Sequence, residues 1–142
     1  MNQIEPGKRP FHTIIPGFVT KDDKPYLSFG VMGGGMQPQG HVQVLINMLD
    51  FGMNVQQAGE APRLRHYGSA SPTGGAADKG GGTVAVEPGF PEDVIAALRA
   101  KGHKVETRRG GFGGYQGILI DRANGTLHGG SEPRNDGCAV GY

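Results

Sequence analysis

Polar and apolar positions along the chain fall into short runs separated by glycine-rich breaks. Residues 13–19 and 25–31 are two stretches rich in β-branched and aromatic side chains. The charged Lys21-Asp22-Asp23-Lys24 between them predicts a hairpin turn, and Gly33-Gly34-Gly35 ends the second strand. Within residues 38–51, Val42, Leu45, Ile46 and Leu49 recur at helical spacing, and Val44 and Met48 widen the stripe. Gly52 supplies the stop. So wide an apolar face suits a helix covered on more than one side. Asn54 followed by Gln57 has the form of a capping box, predicting a short second helix that ends near Pro62.

Residues 68–82 are dominated by glycine, serine and alanine and read as a flexible loop. A strand is expected at 83–87 and a third helix at 91–101, with Val94, Ile95, Ala97 and Leu98 facing inward and Gly102 ending it. A strand at 103–107, a glycine loop at 108–114, a strand at 115–121, an Asn124-Gly125 turn and a strand at 126–128 follow. The tail from Ser131 reads as irregular. The order ββααβαβββ indicates an α+β fold with helices on a mostly antiparallel sheet.

Composition changes this picture in one respect. With 27 glycines and 10 prolines in 142 residues, the chain approaches the range of low-complexity sequences. A hydrophobic content of 36%, only 19% charged residues and a net charge of +1 argue against disorder, so residues 1–142 are expected to form a single turn-dense domain. Near-neutral charge gives no general reason to bind nucleic acid or an anionic membrane. No apolar run is long enough to span a bilayer, and residues 1–10 lack a leader's apolar core, so a cytoplasmic location is the default expectation. The lone Cys138 excludes an internal disulfide framework.

Few motifs carry chemistry on their own. The Gly33-Gly34-Gly35 step can present backbone N–H groups to a ligand, or can be a tight strand-to-helix turn. Lys79-Gly80-Gly81 lacks the closing residues of a phosphate loop, and the glycines from Gly111 precede a strand where a dinucleotide fingerprint must open a helix. The segment Arg108-Arg109-Gly110-Gly111-Phe112-Gly113-Gly114-Tyr115 looks like an RNA-binding Arg-Gly box, but one copy between structured elements favours a folded glycine loop. His12, His41, His66, His103 and His128 never fall at metal-ligand spacings, so neither a metal nor a cofactor is expected. Ser131, Glu132, Arg134 and Asp136 cluster in the tail as either a salt-bridged turn or an ion-pair network bracing a site.

Several segments, in order, resemble the C-terminal part of the small subunit of γ-glutamyltransferases (γ-glutamyltranspeptidases) and their cephalosporin-acylase-like relatives. They are Pro6-Gly7-Lys8-Arg9-Pro10, the 14–19 strand, Gly30-Val31-Met32-Gly33-Gly34, and residues 43–52. Ala61-Pro62-Arg63, Glu87, Gly102-His103-Lys104-Val105 and residues 132–137 continue the match over nearly the whole chain. The resemblance implies an N-terminal-nucleophile hydrolase fold, a four-layer αββα sandwich. In that family a self-cleaved precursor exposes a threonine that is both nucleophile and, through its α-amine, base.

The family's paired oxyanion-hole glycines match Gly33 and Gly34. The nucleophile segment matches nothing here, and Thr13 and Thr20 are internal and lack the free α-amine. Where transferases carry a serine pair for the substrate α-carboxylate, this chain has His12 and Thr13, and Met32 replaces the proline before the glycine pair. These departures favour an acylase-like or altered acyl specificity. The expected partners are a large subunit and nucleophile segment from the same precursor, or self-association, with a small-molecule amide as substrate. The alternatives are a catalytically inactive interaction module derived from that family, and RNA binding through residues 108–115.

Overall fold

The computed structural model describes residues 3–70 and 75–141. Part of the expected 68–82 loop, at 71–74, therefore lies outside the described residues, as do residues 1–2 and 142. The hairpin forms from β1 (Gly17–Lys21) and β2 (Lys24–Met32). Its two-residue turn puts Asp22 at φ 52° and Asp23 at φ 59°. Positive φ at both positions matches the twist of the flanking strands, and aspartate tolerates it better than most residues. The first strand starts at Gly17, not at residue 13. Pro16 has no N–H for a ladder, and residues 14–16 instead run along the outer face of the sheet beside Ser28 and Ile118.

Sheet A has the order β1-β2-β6-β7, all antiparallel, with β6 (Gly114–Asp121) and β7 (Thr126–Ser131). β7 runs three residues beyond the expected 126–128, because Gly129, Gly130 and Ser131 continue the pairing with β6. Strand alternation assigns the faces: Leu27, Phe29 and Val31 are buried, while Ser28 and Met32 point the other way. The buried face meets α1 (Met36–Leu49) and α2 (Val55–Glu60), and the core consists of Leu27, Phe29, Val31, Val44, Val55, Ala58 and Tyr115. Phe18, Met32, Ile118 and Leu127 stand exposed on the opposite face.

The structure corrects the expected face of α1. Met36, Gly40 and Val44 are its buried positions, whereas Val42, Ile46 and Leu49 are 56%, 40% and 59% exposed. Gly40 decides this: a Cβ there would stand 2.6 Å from Val31 Cγ1, so the glycine lets helix and strand approach along its own ridge. The wider apolar stripe lies to one side of that contact. The capping box of α2 forms as expected, with Asn54 Oδ1 accepting from the Gln56 and Gln57 N–H groups and Gln57 Oε1 accepting from the Asn54 N–H.

Sheet B contains a strand that the sequence pattern does not reveal, β3 (Leu64–Tyr67), beside β4 (Thr83–Val86) and β5 (Val105–Thr107). All four β3 residues are half-buried, so no alternation marks it. Its free edge is closed by side chains: Gln43 bonds both the N–H and the C=O of Leu64, and Gln39 does the same for His66. Two glutamines one helical turn apart thus act as a substitute strand. β4 and β5 are parallel, joined across α3 (Glu92–Ala100), which adds one parallel pair to an otherwise antiparallel α+β fold. On α3 only Ile95 is buried and Leu98 half-buried; Val94 and Ala97 are exposed, contrary to expectation, because a single ridge of this short helix is covered.

Two outcomes are expected. Gly40→Ala should lower stability by about 1–3 kcal/mol in thermal unfolding, overpacking against Val31 outweighing the helix propensity gained. His41 Nε2 accepts the Val31 N–H at 3.0 Å, and burial holds its pKa below the ordinary 6.5. The unfolded chain therefore binds the proton first as pH falls. Stability from this contact is complete above about pH 6.5 and is lost as pH drops through the lower folded value. Melting temperature measured against pH should fall in that window and flatten there in His41→Gln.

Candidate active site

The end of β2 leads directly into α1 through Gly33, Gly34 and Gly35. Gly33 has φ 125° and Gly34 φ 59°, and their carbonyls accept from the Met36 and Gln37 N–H groups to begin the helix. Their own N–H groups donate to no turn, cap or side chain among the described residues. A Cβ on Gly33 would come within 3.0 Å of Gly113 Cα, so the glycine step packs directly on the glycine loop before β6. Beside this contact lies a cavity of about 380 Å³ lined by Met32, Gly33, Arg65, Glu87, Arg134, Asn135 and the loop from Gly110 to Gly113.

The tail cluster is an ion-pair network that forms one wall of this cavity. Arg134 grips both oxygens of Glu87, at 2.7 and 2.5 Å, and reaches Glu132 Oε2 at 2.5 Å. It also donates to the Gly59 and Ala61 carbonyls. Arg63, almost fully buried, donates to the carbonyls of Phe112 and Gly59 at 2.9 Å and lies 4.0 Å from Glu132. Two guanidiniums and two carboxylates make the group neutral overall, which is what permits its burial.

Desolvation, followed by repulsion from Arg134, pulls the Arg63 pKa down to about 10, still charged at neutral pH. Burial pushes the Tyr115 hydroxyl up to about 12. For Arg134, burial opposes the charge, but hydrogen bonds to Glu87 and Glu132 outweigh it and raise its pKa. Of the other tail candidates, Ser131 Oγ accepts from Gln116, and Asp136 joins no ion pair among the described residues.

His12 and Thr13 are exposed and do not line the cavity. His12 Nδ1 donates to the Ile14 carbonyl at 3.0 Å, and the Thr13 carbonyl accepts from Gln37 Nε2 at 3.0 Å. Gln37 follows the glycine step, so Thr13 is tied to the same helix start as Gly34 from outside the cavity. Arg65, Asn135 and Glu87 are lining residues that sequence reasoning did not place in a site, and it raised the loop glycines only as an RNA-binding alternative. Glu87 carried only a family match, and Arg65 had no signal, lying in the unrecognised β3.

The chain that carries this cavity matches known proteins along nearly its whole length. The family model described as Gamma-glutamyltranspeptidase matches residues 1–142. This chain belongs to that family. It is 38% identical to the glutathione hydrolase-like YwrD proenzyme of Bacillus subtilis over 99% of this chain and 26% of the relative. The glutathione hydrolase proenzyme of Escherichia coli is 34% identical over 99% of this chain and 22% of its own length.

Among solved structures, cephalosporin acylase from Bacillus halodurans superposes with a TM-score of 0.80 at 46% identity, over 98% of this chain and 24% of that one. The gamma-glutamyltranspeptidase from Pseudomonas nitroreducens gives 0.74 at 28% identity, over 98% of this chain and 67% of that one. The fold of this gamma-glutamyltranspeptidase-family chain is therefore part of the N-terminal-nucleophile hydrolase αββα sandwich. The chain spans about a quarter of the length of the curated relatives it matches.

Removing Arg134 would leave Glu87 and the buried Glu132 without their main partner. Arg134→Ala should cost about 3–5 kcal/mol of unfolding free energy in urea titration, and Arg134→Lys, which keeps the charge but not the fork, should cost less.

Proposed function

We propose that this chain supplies the oxyanion-binding and acyl-pocket part of an amidohydrolase or acyltransferase whose threonine nucleophile lies in a segment outside residues 1–142. The observation that carries this reading is the position of Gly33 and Gly34, whose unused amides lie at the strand-to-helix step where Gly33 walls the cavity. Attack on an amide carbonyl places negative charge on its oxygen, and two backbone donors held by a helix start and a packed glycine loop can meet that charge without reorganising. The threonine adds through Oγ as its α-amine takes the proton. The amine leaves with a proton returned to it, and water or a second amine then takes the acyl group.

His12 and Thr13 border the acyl side in this reading, outside the cavity and linked to it through Gln37. The names of the relatives, glutathione hydrolase, cephalosporin acylase and oxamate amidohydrolase, all describe amide or related hydrolysis and support the reaction class. A large subunit and nucleophile segment would cover the exposed outer face of sheet A and the uncovered flank of α1. Those same exposed faces favour one alternative, a catalytically inactive interaction module that uses them to bind a partner or a second copy. No helix among the described residues is long and apolar enough to cross a membrane.

The chain alone should release no p-nitroaniline from γ-glutamyl-p-nitroanilide and no amine from a glutaryl amide. Assembled with the nucleophile segment it should turn over, and Gly33→Ala, at φ 125°, should lower kcat about hundredfold by moving the donor. Turnover by the chain alone would overturn the assignment of the nucleophile to another segment. Full activity in Gly33→Ala would overturn the oxyanion role.

A further inference from the structure

One charged group at the cavity has no carboxylate partner among the described residues. The buried network is neutral within itself, and Glu87 gives both oxygens to Arg134 and accepts the Arg63 N–H as well. Arg108 is paired with Glu106 at 2.6 Å. Arg65, half-buried in the cavity wall, makes no ion pair among the described residues.

Its guanidinium is nevertheless held in place. Arg65 Nη1 donates to the Gly111 carbonyl at 2.6 Å, and the group stacks 4.5 Å from the centre of the Tyr67 ring. Arg108 lies over the same ring at 4.8 Å. Arg65 and Tyr67 are two apart on β3 and so share a face, which makes the stack a consequence of strand geometry. On the other side, a Cβ on Gly35 would stand 3.9 Å from Arg65 Nη2, so the guanidinium reaches the glycine step itself.

We propose that Arg65 is a carboxylate-recognition residue, binding an anionic group of the amide substrate or of the acceptor amine beside the Gly33–Gly34 step. A planar guanidinium with one hydrogen spent on Gly111 keeps Nε and Nη2 for a two-point bond to a carboxylate. Stacking on Tyr67 removes much of the side-chain freedom that such a bond would otherwise cost. The surplus positive charge gives the cavity its preference for anions over neutral amides. This role rests on the proposed catalytic reading for its meaning, but the binding itself does not require turnover.

The test uses the protein in its native assembled form and two pairs of probes. Glutarate against glutaramide represents the acyl side, and glycylglycine against glycylglycinamide the amine side. In equilibrium titrations one carboxylate should bind at least about tenfold more tightly than its amide, and which pair shows it identifies the side. Arg65→Met should abolish that preference and Arg65→Lys should retain part of it. In the unaltered protein the Arg65 Nε–H resonance should shift on adding the carboxylate and not the amide, a readout that does not depend on a variant folding.

An unmoved Arg65 resonance, a preference unchanged in Arg65→Met, or no preference in either pair overturns the assignment. Turnover of γ-glutamyl-p-nitroanilide is followed in parallel to separate the two readings. Its absence counts against the catalytic reading alone, and intact turnover with no Arg65-dependent binding counts against Arg65 alone.

Discussion

Arg134 ties together three parts of the chain that are far apart in sequence. Its guanidinium holds Glu87 just after β4 and Glu132 just after β7, and it donates to carbonyls at the end of α2. Arg63 adds the Phe112 carbonyl from the glycine loop. The two sheets, the second helix and the loop before β6 are thus tied through one neutral set of four charges. Removing any one charge leaves the remaining three out of balance in a largely desolvated site, and that penalty couples the set. The cavity exists because this unit stands behind one side of it while the glycine step stands on the other.

α1 is the second organising element, and its two sides do different work. Through Gly40 it seats against Val31 and completes the core; through Gln39 and Gln43 it closes the edge of β3. An edge strand with unpaired N–H and C=O groups invites unwanted pairing, and the glutamine amides satisfy those groups without adding a strand. Its remaining apolar flank, with the outer face of sheet A, stays exposed. A chain that spans about a quarter of its relatives is consistent with such unpaired faces.

Local signals in the sequence translated well into structure. The Asp22-Asp23 turn, the Asn54–Gln57 capping box, the two main helices and the strands at β2, β4 and β6 all appear close to where the pattern placed them. The family was also legible, carried by ordered short segments and not by any one motif. Less legible was the direction each element faces. The α1 stripe of Val42, Ile46 and Leu49 is apolar in the expected rhythm yet exposed, and only the Gly40–Val31 approach shows why. β3 was invisible because its four residues are equally half-buried and its partners are a strand and two glutamine side chains.

The sequence by itself determined the helices, the hairpin, their stops and caps, the family, and the glycine pair as candidate donors. These depend on hydrogen bonds and steric limits among residues within a few positions of one another, so the local order of residue types is enough. Only the tertiary structure decided that Arg65 lies in the same cavity as Gly33, that His12 and Thr13 lie outside it, and that Arg63 and Glu132 are buried. Those outcomes depend on groups such as Arg134 and Gly59, 75 positions apart, whose meeting is set by packing and charge balance over the whole chain. Desolvation makes such meetings selective, since a buried charge is tolerated only where the fold brings its partner.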